Sequence, residues 1–278
     1  MASCDLSNQW VDLLPDGRPA LMGIVNITPD SFSDGGQFYE VQDAINHVQK
    51  LISAGADIID IGGESTRPGA APVTPKEELR RTMGPLAYAV ETGTLVSIDT
   101  RNAAVMRGAL RHRDTVIIND ISALRNDSKS IELVIQEQPP VILMHMAGEP
   151  ATMNDDPHYD DIVADVINWL VSRAEFCMAA GLDRGCIALD PGLGFGKAHA
   201  HDLALLDNLD RIVDLGFPVC IGASRKLTSW SATPTTRLVV STTAAVIAAM
   251  KGAAILRVHD VAETRGALRI AGYDMSRS

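Results

Sequence analysis

Eight short apolar runs of strand length recur along the chain, and most end on a polar residue that a buried strand would not favour. In order, ALMGIVN ends at Asn26, DIIDIGG runs into Glu64, LVSID ends at Asp99, and VIIND ends at Asn119 and Asp120. The other four are VILMH ending at His145, CIALD at Asp190, VCIGASRK at Lys226 and ILRVH at His259. Between them, apolar residues recur three and four apart, which predicts helices. One spans 41–54 and is stopped by Gly55; the next opens at Pro75 with Glu77 and Glu78 in its first turn. Further helices are predicted near 103–110, 130–137, 160–180, 203–215, 236–251 and 261–270. Strands alternating with helices imply parallel pairing and right-handed crossovers, and eight such units close into an α/β fold of the TIM-barrel, (β/α)8, type. All C-terminal strand ends then face one way, so the polar residues that end the runs share one pocket. That convergence predicts an enzyme.

The chain has 278 residues, close to the roughly 250 of a single barrel. Residues 1–18 are polar and marked by Pro and Gly, so they read as an arm, with the barrel over 19–278. Hydrophobic residues make up 46% and aromatic ones only 4%, which leaves packing to small and β-branched side chains, as suits strands buried on both faces. The net charge is −11, and the one dense basic cluster, Arg107, Arg111, His112 and Arg113, reads as a solvated helix face. No nucleic-acid partner is expected. The longest apolar stretch, Leu238 to Leu256, is broken by Ser241, Thr242, Thr243 and Lys251 and reads as a buried helix entering a strand, so no membrane span is expected. No basic leader followed by an apolar stretch opens the chain. Cys4, Cys177, Cys186 and Cys220 form no metal-binding or redox pair, consistent with reduced thiols in a cytoplasm.

The loops that follow the strands are long and rich in Gly, Pro and hydroxyls, over 27–40, 62–75, 146–158 and 191–202, which puts function at the C-terminal face. Asn26 can offer an amide oxygen to a hard cation such as Mg2+ or to a substrate, or it can cap its turn. The loop GGESTRPGA (62–70) has the hydroxyls, the guanidinium of Arg67 and the close-turning glycines of an anion site, with phosphate the expected ligand. Arg257 and His259 end strand eight, which a barrel sets beside strands one and two, so they would add cations to that site. Asp99, Asn119 and Asp190 end strands three, four and six. Buried there they need hydrogen-bond donors, and a planar heterocycle rich in N–H groups would supply them. DPGLGFGK (190–197) fails as a Walker A loop and as a dinucleotide loop, and is read instead as a wall exposing Phe195. GxSxG and HExxH are absent. His145 is expected to pack or hydrogen-bond locally, and His47, His112, His158, His199 and His201 to be solvated.

Together the segments resemble the dihydropteroate synthase family of pterin-binding barrels over roughly residues 20–270. The resemblance rests on MGIVNITPDSFSDGG (22–36), GADIIDIGGESTRPGA (55–70), SIDT (97–100), INDISAL (118–124), LMHMAGEPATM (143–153), LDPGLGFGK (189–197), GASRK (222–226) and ILRVHDVAET (255–264). It implies a transferase of folate biosynthesis that condenses 6-hydroxymethyl-7,8-dihydropterin diphosphate with p-aminobenzoate, giving 7,8-dihydropteroate and diphosphate. It implies Mg2+ at Asn26, and diphosphate contacts at Arg257 and His259. Asp99, Asn119, Asp190 and Lys226 match pterin contacts, and Ser224 and Arg225 belong to the same segment as Lys226. Phe32 and Asp34 match a first mobile loop and Thr66 and Arg67 a second, while Pro68 and Phe195 match the surroundings of p-aminobenzoate. Arg67, Asp99, Lys226, Arg257 and His259 are the expected catalytic set. The family also implies a homodimer and is a target of sulfonamides. One stretch departs from its pattern: Leu227 stands where a Ser usually helps hold the p-aminobenzoate carboxylate. Backbone N–H groups at the start of the helix after Lys226, with Thr228, are expected to take over.

Overall fold

The computed structural model describes residues 9–27, 37–65, 71–148, 153, 157–228 and 232–276. Within them run α1 (Trp10–Leu13), β1 (Ala20–Asn26), α2 (Gln37–Ala54), β2 (Ile58–Gly62), α3 (Pro75–Glu91), β3 (Leu95–Asp99), α4 (Ala103–Ala109), β4 (Val116–Asp120) and α5 (Ser128–Glu137). They continue with β5 (Val141–Met144), α6 (Ile162–Ala180), β6 (Ile187–Asp190), α7 (His199–Asp207), α8 (Leu209–Val213), β7 (Cys220–Ile221), α9 (Pro234–Met250), β8 (Ile255–Val258) and α10 (Val261–Ile270). The strands pair in parallel in the order β6-β5-β4-β3-β2-β1-β8-β7. A parallel bridge between Leu189 and Val219 joins the two ends of that order. The fold is therefore the (β/α)8 barrel that the alternation predicts.

Side chains two apart on a strand share a face, and here that rule separates two kinds of environment. The outward positions, among them Leu21, Ile59, Ile61, Val96, Ile98, Ile118, Leu143, Leu189 and Leu256, form one large apolar cluster with the helices. The inward positions change character along the barrel axis. At the N-terminal end Ala20, Met22, Ile58, Ile117, Ile142, Ala188, Cys220 and Ile255 make a dry layer together with Trp10. The arm thus carries a working part: α1 brings Trp10 across the barrel floor, 1% exposed, and its Nε1 donates to the Cys186 carbonyl at 2.9 Å. Two residues further along, the inward position becomes polar on β2 (Asp60), β4 (Asn119), β6 (Asp190) and β8 (Arg257). That second layer is the start of the pocket.

Helix starts follow their caps more than their apolar spacing. Thr74 accepts from the Glu77 N–H, Asp127 from Lys129, Asp161 from Val163 and Ala164, and Thr233 from Thr236. Hence α5 and α9 begin two residues before their apolar pattern does. The helix expected over 203–215 is two helices. Asn208 breaks it at φ −110°, ψ 25°, with its Nδ2 donating to the Ala204 carbonyl at 2.9 Å.

Candidate active site

Arg257, on β8, organises the polar layer. Its Nε donates to Asp60 Oδ2 at 2.6 Å and its Nη2 to Asp99 Oδ2 at 2.7 Å. Asp60 on β2 is 0% exposed and also accepts from Asn119 Nδ2, at 3.3 Å to Oδ1. Four strands are thereby tied together by one cation, two carboxylates and an amide. Burial disfavours the charge on Arg257, yet Asp60 and Asp99 outweigh it and hold the guanidinium above its ordinary range. Burial pushes the Asp99 carboxyl up to about 7, against the pull of Arg257 and helped by repulsion from Asp60. A carboxyl with that balance can accept a ring N–H as an anion or carry a proton itself.

Across the pocket Asp190, 5% exposed, ends β6 and accepts the Gly192 N–H at 2.7 Å. Burial raises its pKa, opposed first by Lys226. Lys226 is in turn brought down to about 8 by burial, with Asp190 opposing. Its Nζ lies 4.4 Å from the centroid of the Phe195 ring, a cation–π contact. Phe195 is the first correction. It is 8% exposed and clusters with Ile121, Met144, Met146 and Met153, so the wall buries it beneath Lys226 instead of exposing it.

The glycine-rich run after β6 folds around Lys197. That ammonium, 6% exposed, lies 2.9 Å from the carbonyls of Gly192 and Phe195 and 3.0 Å from His145 Nδ1. Burial, then the Lys197 charge, brings His145 down to about 3, so its ring is neutral and accepts at Nδ1. Gly192 sits at φ +68°, where any β-carbon would collide with the His145 carbonyl oxygen, so only glycine lets the loop close on β5.

On the β1–β8 side, Asn26 is half-buried, and its Oδ1 lies 3.7 Å from where a β-carbon on Gly62 would stand; Asp99 flanks the same glycine. Ser224 Oγ and His259 Nδ1 are 2.9 Å apart. Arg225 turns away: it is exposed, adopts φ +64°, and reaches Asp260 at 3.4 Å. Glu64 joins the two ends of the loop over 62–75, pairing with Arg101 at 3.1 Å and accepting the Val73 N–H at 3.3 Å.

Residues 22–259 match the family described as pterin binding enzyme. A dihydropteroate synthase of Neisseria meningitidis serogroup B is 44% identical over 262 residues, covering 91% of this chain and 92% of that one. The chain belongs to the dihydropteroate synthase family. A Xanthomonas albilineans dihydropteroate synthase solved with 4-aminobenzoic acid superposes with a TM-score of 0.84 at 44% identity, covering 92% of each chain. Another structure of the enzyme from that organism, in complex with 7,8-dihydropteroate, gives 0.82 at 41% identity, over 93% and 94%. The activity is accordingly that of a dihydropteroate synthase, a transferase of folate synthesis.

For this synthase the barrel gathers Asp99, Asn119, Asp190, Lys226 and Arg257 at one end, with Asn26, Ser224 and His259 at its rim. Phe32, Asp34, Thr66, Arg67 and Pro68 lie outside the described residues. Three further expectations do not hold. The helix after Lys226 begins only at Pro234, and Thr233 already accepts the N–H groups of Thr236 and Arg237, so that helix start offers no ready anion cradle. Leu227 packs in the outer apolar cluster at 7% exposure and does not line the pocket. His47 is half-buried against β1, its Nε2 3.2 Å from the Ile24 carbonyl, and is not solvated. Two residues of the site escaped the sequence reading, Asp60 and Lys197. Strand alternation would have found Asp60, which lies between the inward-facing Ile58 and Gly62.

Proposed function

We propose that this pocket seats the pterin ring of 6-hydroxymethyl-7,8-dihydropterin diphosphate against Asp99, Asn119 and Asp190, with the diphosphate toward β1 and β8 and p-aminobenzoate entering last. The observation that carries this reading is the convergence of the buried Asn119 and Asp190 and the partly buried Asp99 with Lys226 and Arg257 on one barrel end. A ring edge rich in N–H donors satisfies such acceptors, and few other ligands would. As the C–O bond to diphosphate breaks, positive character spreads into the electron-rich ring, where the carboxylates of Asp99 and Asp190 stabilise it. Negative charge grows on the leaving oxygens. Arg257 meets it with Nη1, which makes no hydrogen bond among the described residues, and His259 adds a donor from the rim. Arg67 and Thr66 join from the second loop, and Phe32 and Asp34 from the first. The amine of p-aminobenzoate then attacks the exposed CH2 without a strong base, in surroundings formed by Pro68, Ser224 and the contacting pair of Phe195 and Lys226.

The residues fit Mg2+. Among the described residues no three His, Cys, Asp or Glu side chains gather as a metal site. A single amide oxygen, that of Asn26, suits an ion that keeps most of its water and is otherwise held by substrate phosphate. When bound there, Mg2+ would supply charge to neutralise the leaving diphosphate. We further assign the chain to a cytoplasmic homodimer. Support for assembly comes from Leu203 of α7 and Val239 and Met250 of α9, large apolar side chains that remain 46%, 56% and 71% exposed. Among the described residues no helix is long and apolar enough to cross a membrane. Turnover with the pterin diphosphate, p-aminobenzoate and Mg2+, scored by diphosphate release, tests the chemistry, and its absence at high enzyme would refute it. Sedimentation at micromolar concentration tests the dimer, and a monomer there would refute it.

A further inference from the structure

We propose that Asp60 is a positioning residue of the pterin pocket: from beneath the substrate it fixes which way Asn119 and Arg257 present their polar groups. The inference rests on the dihydropteroate synthase reading and adds a residue to it. Asp60 is 0% exposed and one inward position below the pocket rim on β2, so it lies too deep to meet a ligand itself. Its neighbours on the inner face are Ile58 below and Gly62 above. A carboxylate in that place is destabilising unless fully paired, and its two oxygens accept from the two residues that do face the pocket.

An ionised carboxylate only accepts hydrogen bonds. Asn119 must therefore turn its NH2 toward Asp60, at 3.3 and 3.4 Å from the two oxygens. That leaves the amide oxygen of Asn119 for the pocket, where it accepts a ring N–H. The same logic orients Arg257. With Nε held at 2.6 Å by Asp60, the guanidinium plane is fixed and Nη2 falls on Asp99 at 2.7 Å. Asp60 thus acts on two substrate-facing groups at once, as a carboxylate that accepts from both. An Asn at this position keeps the shape and loses that property. Its NH2 could donate to the Asn119 oxygen and withdraw that acceptor from the pocket.

The test uses the full chain with Asp60→Asn and Asp60→Leu, thermal unfolding to establish the fold, calorimetry with 6-hydroxymethylpterin, and steady-state kinetics for both substrates. The expected result for Asp60→Asn is a folded protein with about tenfold weaker pterin binding, a loss the size of one misdirected hydrogen bond. kcat/KM for the pterin diphosphate should fall at least as far, while KM for p-aminobenzoate stays within about twofold. In an Asn119→Ala background the same substitution should weaken pterin binding less than it does in the parent, because the amide it misdirects is gone. Parent-like affinity in either folded variant would overturn the proposal. So would a full additive loss in the Asn119→Ala background, an equal rise in the KM of p-aminobenzoate, or failure of both variants to fold, which would make Asp60 a folding residue. Should the parent bind the pterin yet release no diphosphate, the synthase reading fails, and calorimetry still decides the role of Asp60.

Discussion

Replacing Lys197 with Met removes a buried ammonium while keeping most of its length, and the structure sets both the size and the pH course of the loss. The ammonium lies 2.9 Å from two carbonyl oxygens, of Gly192 and Phe195, and 3.0 Å from His145 Nδ1. Met leaves all three acceptors without their donor, at about 1–3 kcal/mol for each one that water cannot reach. Against this stands the relief of removing a charge that burial disfavours, since Lys197 is brought down to about 7. Near pH 7 the two effects partly offset, and a net destabilisation of about 2–4 kcal/mol is expected. Above pH 7 they separate. The unfolded chain keeps the lysine proton up to its ordinary pKa near 10.5 while the folded chain has released it, so the unfolded state binds more protons and parent stability rises with pH across that window. At about 1.4 kcal/mol per pKa unit the rise has an upper bound of about 5 kcal/mol. Lys197→Met lacks it. Asp190, Asp202, Lys226 and His145 face the same ammonium, so the parent-minus-variant difference is the quantity to read. Urea unfolding at pH 7, 8, 9 and 10 should show a gap that widens toward pH 10. A gap constant with pH would mean the folded lysine stays charged, and no gap at pH 7 would mean the loop does not depend on it.

Three other predictions concern the pocket itself. Asp99→Ala or Asp190→Ala should leave the barrel folded and weaken pterin binding by about 1.5–3 kcal/mol each; calorimetry giving near-parent affinity for both would remove them from the pocket. Arg257→Ala should depress kcat more than pterin affinity, because the charge it meets grows in the transition state, and a raised KM at unchanged kcat would assign it to the ground state only. Thr228 Oγ1 is buried without a partner among the described residues, so Thr228→Val should raise the KM for p-aminobenzoate if that hydroxyl serves the substrate. Leu227→Ser, by contrast, should cost about 2–4 kcal/mol of stability with no lowering of that KM; a lowered KM would mean that Leu227 lines the pocket after all.

The barrel was legible because most apolar runs carry two signals at once: strand length, and a polar residue at the C-terminal end. Asp99, Asn119 and Asp190 stand out by that rule alone, and the structure brings them to one mouth. What the sequence hid has a different physical origin in each case. Phe195 and Lys197 lie in a run of glycines with no periodicity, and such a loop gives no sign of which side chain turns inward. Burial of Phe195 follows from Lys197 gathering the loop's carbonyls, a contact made by folding and not by spacing. Helix starts were misplaced where Thr233 and Asp127 cap outside the apolar pattern. Leu227 holds the motif position of a pocket residue, but Arg225 at φ +64° twists the chain there and sends Leu227 outward into the core.

Asp60 lies one layer below the strand ends, where a polar residue does not mark the end of an apolar run. Attention to strand ends selects residues that touch the substrate, and it passes over the layer beneath them. In this chain that layer is neither apolar nor solvated. It holds Asp60 and the stem of Arg257 over a floor of Ile58, Ile117 and Ile255 closed by Trp10. The dry floor makes any unpaired charge above it costly, so Asp60 and Arg257 hold each other in a single geometry. A solvated pair would exchange partners freely, and Asn119 and Asp99 would then present a mixture of orientations to the pterin. The apolar residues at the N-terminal end of the barrel thus contribute to recognition at the other end, by keeping water from competing for the groups that orient the site.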